Sequence, residues 1–255
     1  MTRIIIHGCN GKMGQVISGL LAGDSEARAV AGVDSRDDGH NPYPVFRSMR
    51  ECNVEADCVI DFSVAPAVDD LLDCCVERGL PCVLCTTGLS EEQLEKVKKA
   101  SGSVAILKSA NMSLGINLLL KLLKKAADVL APAGFDIEIV EKHHNLKLDA
   151  PSGTALALAD SVNEELGGEY EYVYDRSARR EKRPRKEIGI SAVRGGTIVG
   201  DHDVIFAGAD EVLTFSHTAY SKAVFGKGAI QAAKFLGGKP AGMYDMSNVI
   251  EAVLS

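Results

Sequence analysis

No apolar stretch of this sequence reaches the ~18 residues that a membrane-spanning helix needs. The longest candidate, Leu114 to Leu123, is broken by Asn117 and Lys121, so no membrane partner is expected. The opening Met1-Thr2-Arg3-Ile4-Ile5-Ile6 has too short an apolar stretch for the core of a secretory leader. Paired cysteines are lacking as well. There are seven, an odd number, at Cys9, Cys52, Cys58, Cys74, Cys75, Cys82 and Cys85, all within the first third of the chain. On expected strands and helices they read as reduced thiols packed as small hydrophobes, and a cytoplasmic protein follows. A basic excess is missing too: the net charge of −7 argues against general nucleic-acid binding. Tryptophan is absent, and no internal repeat or low-complexity linker appears. What is present is 255 residues, 46% hydrophobic and 25% charged. These are globular proportions, excluding disordered, collagen-like and disulfide-scaffold chains and allowing one large or two modest domains.

Residues 3 to 7 (Arg-Ile-Ile-Ile-His) form a continuous β-branched run ending at a glycine-rich turn, as a buried parallel strand does. A helical pattern follows over Lys12 to Leu21, with Met13, Val16, Ile17, Leu20 and Leu21 in phase. Strand Ala29 to Val33 then ends at Asp34. The alternation continues through strand Cys58 to Phe62, helix Ala67 to Arg78, strand Cys82 to Thr86, helix Glu91 to Ala100 and strand Val104 to Lys108. Ser90 and Gln93 have capping-box spacing. Strands alternating with helices imply an α/β fold with a doubly wound parallel sheet.

After Asn111 the character changes. A strongly apolar helix, Leu114 to Leu130, leads into strand Phe135 to His143 and a helix from about Thr154 to Leu166. Three strand-like segments then fall between Ile188 and His217, with glycine-rich turns too close together for helical crossovers. They predict an α+β domain with a mixed or antiparallel sheet. Helical periodicity returns over Ala223 to Leu236 and Ser247 to Leu254. The domains expected are 1–112 with 222–255 for a dinucleotide, and 113–221 for substrate.

Gly8-Cys9-Asn10-Gly11-Lys12-Met13-Gly14 joins the first strand to its helix. Glycines there let backbone approach a pyrophosphate, and the N–H groups of the helix's first turn can bind it. The spacing G-x-x-G-x-x-G departs from the usual Rossmann fingerprint by one extra residue between its first two glycines. Asp34 closes the second strand, where a carboxylate can accept hydrogen bonds from an adenosine ribose. It disfavours a 2′-phosphate, although Arg36 and Lys12 could offset that repulsion. NADH is therefore expected to serve at least as well as NADPH. Thr86-Thr87-Gly88 and Ser109-Ala110-Asn111-Met112 follow two further strands and should border the nicotinamide half of the site, since ligands of such sheets bind beyond the carboxyl ends of the strands.

The densest signal is Glu141-Lys142-His143-His144-Asn145-Leu146-Lys147-Leu148-Asp149-Ala150-Pro151-Ser152-Gly153-Thr154. Two histidines, a lysine and an aspartate crowd a strand end, and Pro-Ser-Gly-Thr opens a helix. Helix-opening N–H groups at Gly153 and Thr154, with the Thr hydroxyl and Lys147, suit a carboxylate ligand. An adjacent imidazole can supply a proton near neutral pH. A metal site is not expected, because His143 and His144, neighbours on a strand, point to opposite faces.

These segments, with Val199-Gly200-Asp201-His202 and Phe225-Gly226-x-Gly228-Ala229, resemble the dihydrodipicolinate reductase family nearly end to end. The resemblance implies an NADH- or NADPH-dependent oxidoreductase of the diaminopimelate route to lysine. Such an enzyme transfers hydride to C4 of a cyclic unsaturated dicarboxylate and a proton to C3. By that resemblance His143 donates the proton and Lys147 assists it and holds substrate. His144, Ser152, Gly153 and Thr154 contact the substrate, and the cofactor contacts are Gly8, Cys9, Asn10, Gly11, Lys12, Met13, Asp34, Cys85, Thr86, Thr87, Ser109, Ala110, Asn111 and Met112. A homotetramer formed through the substrate domains, and a hinge that closes over the ligands, are implied too.

Two departures from the family pattern concern the cofactor. Cys85 stands where the family usually has Gly, and Ser35 where it often has Arg. Of two rival readings, another nicotinamide oxidoreductase leaves the cluster from His143 to Thr154 without a purpose, and a non-catalytic NAD(H) sensor needs a partner surface or DNA-binding element that the sequence does not show. Cys82-Val83-Leu84-Cys85 has CxxC spacing but lies within a strand, where its ends face opposite ways, so no metal is expected there. Arg176 to Lys186, with seven basic residues and one Glu, reads as a mobile solvated loop. His7 reads as a buried, hydrogen-bonded side chain.

Overall fold

The structure, a computed structural model, describes residues 1–254. The chain forms two compact units, one of Met1–Leu114 joined by the chain from Ala223 onward, the other of Gly115–Lys222.

In the first unit the strands are β1 (Thr2–His7), β2 (Ala27–Val33), β3 (Val45–Phe46), β4 (Cys58–Asp61), β5 (Cys82–Leu84), β6 (Ala105–Leu107) and β12 (Gly242–Tyr244). They make one parallel sheet in the order β12-β6-β5-β4-β1-β2-β3. Its helices are α1 (Lys12–Leu21), α2 (Val68–Arg78), α3 (Glu91–Ser101), α6 (Ala223–Leu236) and α7 (Met246–Leu254). Successive residues of β1 serve opposite faces, as a strand's period of two requires. Ile4 and Ile6 pack in the cluster that holds α1, α6 and α7, and Ile5 in the cluster that holds α2 and α3. All three are fully buried, which is why the run is continuous rather than alternating. Ser90 and Gln93 form the reciprocal capping box that opens α3. Cys52, Cys74, Cys75 and Cys82 fill the second of these clusters.

The second unit holds α4 (Leu114–Leu130), all but its first residue, then β7 (Asp136–His143), α5 (Gly153–Glu165), β8 (Glu171–Val173), β9 (Glu187–Arg194), β10 (Gly200–Ala207) and β11 (Val212–Ala219). The sheet order is β11-β10-β7-β9-β8. β10 is antiparallel to both neighbours, while β7, β9 and β8 run parallel, so the sheet is mixed. Leu119, Leu123 and Ala127 of α4 and Ala155, Leu158 and Val162 of α5 bury one face of it.

Most of the basic stretch is an exposed loop, with Arg180, Lys182, Arg185 and Lys186 at the surface, but two of its arginines are engaged by the adjoining strands. Arg183 is only 16% exposed in its side chain and reaches Glu138 and Asp136, both at 2.9 Å. It also donates to the carbonyl oxygens of Ile137 and Glu187. Arg176 pairs with the buried Glu187. Arg176 and Arg183 thus answer carboxylates of the adjoining strands, partners that the composition of the stretch does not disclose.

Candidate functional site

In the first unit, every loop expected to meet the cofactor follows the carboxyl end of a parallel strand. The β1–α1 turn is built on close backbone approach. Gly8 has a φ of +82°, and a Cβ there would lie 2.7 Å from the Phe62 carbonyl oxygen. At Gly14 a Cβ would stand 2.2 Å from the Gly8 oxygen, so α1 can approach the turn only without a side chain. α1 begins after Gly11 with no side-chain cap and no acidic residue in its first turn, leaving its opening N–H groups for an anion. This cradle fits a dinucleotide pyrophosphate.

Asp34 accepts the Asn10 N–H at 2.9 Å through one carboxylate oxygen and the Ser35 N–H at 2.8 Å through the other. It thus braces the glycine turn, and a carboxylate's remaining lone pairs are available to ribose hydroxyls. Asn10 is held further, donating to the Arg36 carbonyl and accepting from Asn41 at 2.7 Å. The side chain of Cys9 turns into the core, where burial first and the charge of Asp34 second push its thiol up to about 11. Only its backbone can serve a ligand. Thr86 is buried and Thr87 exposed after β5. Cys85 precedes them, its thiol raised by burial and then by Asp61. After β6, Met112 is buried, and the Asn111 side chain accepts the Ser113 N–H.

The sequence reads His7 as buried and hydrogen-bonded, without naming its partner. Its Nδ1 lies 2.8 Å from Asp61, and both are buried where β1 and β4 end. Burial alone would raise Asp61, but His7, Ser63 and Thr86 outweigh it and hold the carboxyl low.

In the second unit the site grows from β7. Its alternation buries Ile137, Ile139, Glu141 and His143, so the phase that carries the core ends in an acid and an imidazole. Glu141 is wholly buried and accepts His143 Nδ1 at 2.6 Å. Arg194, the partner of His143 in the parallel pairing of β7 with β9, grips both carboxylate oxygens at 2.7 and 2.8 Å. The Ser152 N–H adds a fourth bond at 3.0 Å. Burial would raise the Glu141 carboxyl, but Arg194, His143 and that N–H hold it below its ordinary value.

Ser152, a substrate contact by the family resemblance, is also tied into the protein itself. Its hydroxyl caps α5 through the Ala155 N–H and meets His202 Nε2 at 3.1 Å, while its N–H is committed to Glu141. With 2% of its surface exposed, it holds the start of α5 in place. Gly153 and Thr154 then open that helix. Lys147 pairs with Asp149 at 2.8 Å, so its charge is balanced by a half-exposed carboxylate that an incoming anion can replace. His144 follows β7 and is partly exposed, its Nδ1 buried without a partner.

His202 is a residue that sequence reasoning quoted but gave no role. Its ring meets that of His143 edge-on with centroids 5.2 Å apart. Burial first, and the neighbouring His143 second, push it down to about 4. Arg194 was not found at all. The one available signal was Glu141, a carboxylate in the buried phase of an alternating strand, which needs a cation somewhere.

Comparison with known proteins adds an independent finding. Residues 2–112 match the family model for the dihydrodipicolinate reductase N-terminus, and residues 115–250 match the one for its C-terminus. A 4-hydroxy-tetrahydrodipicolinate reductase of Caldanaerobacter subterraneus subsp. tengcongensis is 55% identical over 251 residues, covering 98% of this chain and 99% of that one. One of Clostridium tetani is 48% identical over 252 residues, covering 99% and 98%. Among solved structures, a dipicolinate-bound dihydrodipicolinate reductase from Paenisporosarcina sp. TG-14 aligns with a TM-score of 0.82 at 25% identity, over 97% of this chain and 99% of that chain.

Proposed function

Since the chain belongs to the dihydrodipicolinate reductase family, we propose that its substrate is held at the end of β7 and the start of α5, and that His143 supplies the proton. The activity is the NADH- or NADPH-dependent reduction of 4-hydroxy-tetrahydrodipicolinate in diaminopimelate and lysine biosynthesis. The fold that performs it is a Rossmann-like parallel sheet with a second, mixed sheet.

The observation that carries the site reading is the joint held by Glu141. One buried carboxylate orients the His143 ring and anchors the helix opening at Ser152. A cyclic dicarboxylate needs both features at once. The N–H groups of Gly153 and Thr154 and the Lys147 ammonium take its carboxylates, and an imidazole beside the ring protonates C3 as C4 is reduced. The dipicolinate held by the Paenisporosarcina relative is a planar dicarboxylate of the same kind, which supports this reading.

The bound nicotinamide supplies the hydride. Gly8 to Met13 receive the pyrophosphate, Asp34 the adenosine ribose, and Cys85 to Thr87 with Ser109 to Met112 border the nicotinamide half. The subunits assemble as a homotetramer through the five-stranded sheets, a reading supported by the exposed apolar Val193, Val212 and Leu213. No described helix is long and apolar enough to cross a membrane.

NADH oxidation tests the site, using the condensation product of pyruvate and aspartate semialdehyde as substrate. The parent chain should turn over, and His143→Gln should lose on the order of 100-fold or more in kcat. Equal turnover by the two proteins would overturn the assignment of the proton donor.

A further inference from the structure

A general acid on an imidazole ring needs its proton on the nitrogen that faces the substrate, and the ring's other nitrogen decides how reliably that happens. In this chain the second nitrogen of His143 is committed. Its Nδ1 meets Glu141 at 2.6 Å, and the far edge of the ring points toward Gly200, where a Cβ would lie 3.0 Å from Nε2. A side chain at Gly200 would crowd that edge of the ring.

Glu141 itself is over-determined. Its two oxygens receive four donors: Arg194 Nη1 and Nη2, His143 Nδ1 and the Ser152 N–H. Arg194 Nη2 also donates to the carbonyl oxygen of Asp149 at 2.6 Å. A fully buried carboxylate with a bidentate guanidinium stays ionised, and an ionised carboxylate can only accept. Nδ1 must therefore carry a hydrogen whether the ring is neutral or cationic. Every proton the ring gives up or recovers then passes through Nε2.

We propose that Glu141 and Arg194 are the positioning pair of this active site. Glu141 fixes His143 as the Nδ1–H tautomer, and Arg194 holds Glu141 ionised and aimed. Through Ser152 and Asp149 the same pair holds the turn from His143 to the start of α5, so proton donor and carboxylate cradle keep one geometry. The inference rests on His143 being the proton donor and adds to it two residues that touch neither substrate nor cofactor.

Glu141→Gln separates the possibilities because an amide must place its NH2 somewhere. On the side of Arg194 Nη2 and the Ser152 N–H it faces two donors. On the side of His143 it faces one fixed donor, Arg194 Nη1, and a ring that can give up its Nδ1 hydrogen and accept instead. The substitution should therefore flip the neutral ring to the Nε2–H tautomer.

The primary experiment is nitrogen NMR of the cofactor-free protein, labelled at histidine, with His143 assigned by its loss in His143→Gln. The neutral ring of the parent should be Nδ1–H and that of Glu141→Gln should be Nε2–H. Turnover of Glu141→Gln and Arg194→Lys should fall on the order of 100-fold in kcat. NADH affinity, measured by fluorescence titration, should stay within twofold of the parent. An Nε2–H ring in the parent overturns the proposal even if neither variant folds. If His143→Gln loses turnover but Glu141→Gln and Arg194→Lys keep it, the positioning pair is wrong and His143 stands. If His143→Gln itself keeps turnover, the underlying site reading fails instead.

Discussion

Gly228 of α6 faces the carbonyl oxygen of Met112 so closely that a Cβ on it would lie 1.6 Å from that oxygen. The oxygen belongs to backbone and cannot swing away like a side-chain tip. Gly228→Ala must therefore displace the segment Ser109 to Met112 or the helix itself. Overpacking of this sort costs typically about 1–3 kcal/mol. The expected outcome is a lower Tm together with an NADH Kd raised about tenfold, since that segment borders the nicotinamide half in the proposed site. Calorimetry and NADH titration on the same preparation check it. A lowered Tm with unchanged NADH affinity would remove this segment from the cofactor site.

Cofactor choice turns on the residues after β2. Asp34 already accepts two backbone N–H groups, and Arg36, the cation nearest in sequence, pairs with Asp38 at 3.0 Å. The guanidinium is exposed and neutralised by its own loop, so a 2′-phosphate would compete with Asp38 for it while meeting Asp34. NADH should serve at least as well as NADPH, read as kcat/KM for each at the same ionic strength. A preference for NADPH on the order of 100-fold would refute this.

Much of the fold was legible from the sequence. The Ile4 to Ile6 run and the alternation of strands with helices disclosed the parallel sheet, and Ser90 with Gln93 fixed the start of α3. The missed strands β3, β8 and β12 span two or three residues, too few to show a period. At the candidate site, His143, His144, Lys147, Gly153 and Thr154 were visible because they are contiguous. Arg194 was not, since it reaches Glu141 only through the pairing of β7 with β9. The same limit applies to Arg183, whose carboxylate partners lie on β7. Sequence spacing reports neighbours along one strand and is silent on which strand lies beside it.

Lys147 offers a separate prediction through its pairing with Asp149. The ammonium holds the Asp149 carboxyl below its usual range, and an anionic substrate would have to take over that ammonium. Lys147→Ala should raise KM and lower kcat together, by about tenfold or more each, while NADH binding is kept. Steady-state kinetics with varied substrate, alongside NADH titration, read all three. Unchanged KM would show that Lys147 does not hold the substrate.

His202 predicts an acid limit to stability. Its ordinary value of 6.5 is pushed down to about 4, first by burial and then by the neighbouring His143. Between those two values the unfolded chain binds a proton that the folded chain refuses, so protons favour unfolding. Its contribution is complete above pH 6.5 and is lost as the pH falls toward 4. It amounts to about 3 kcal/mol at most, because the ring is 4% exposed and little screened by solvent. His202→Gln keeps a polar partner for the Ser152 hydroxyl and cannot titrate. Parent and variant should therefore diverge in Tm as the pH is lowered from 6.5 to 4, with the parent falling more steeply, and run parallel above 6.5. Curves that stay parallel throughout would mean that His202 is protonated at no cost in the folded protein. The same divergence should appear in kcat/KM, because a charged His202 would stand 5.2 Å from the His143 ring and loosen Ser152 at the start of α5.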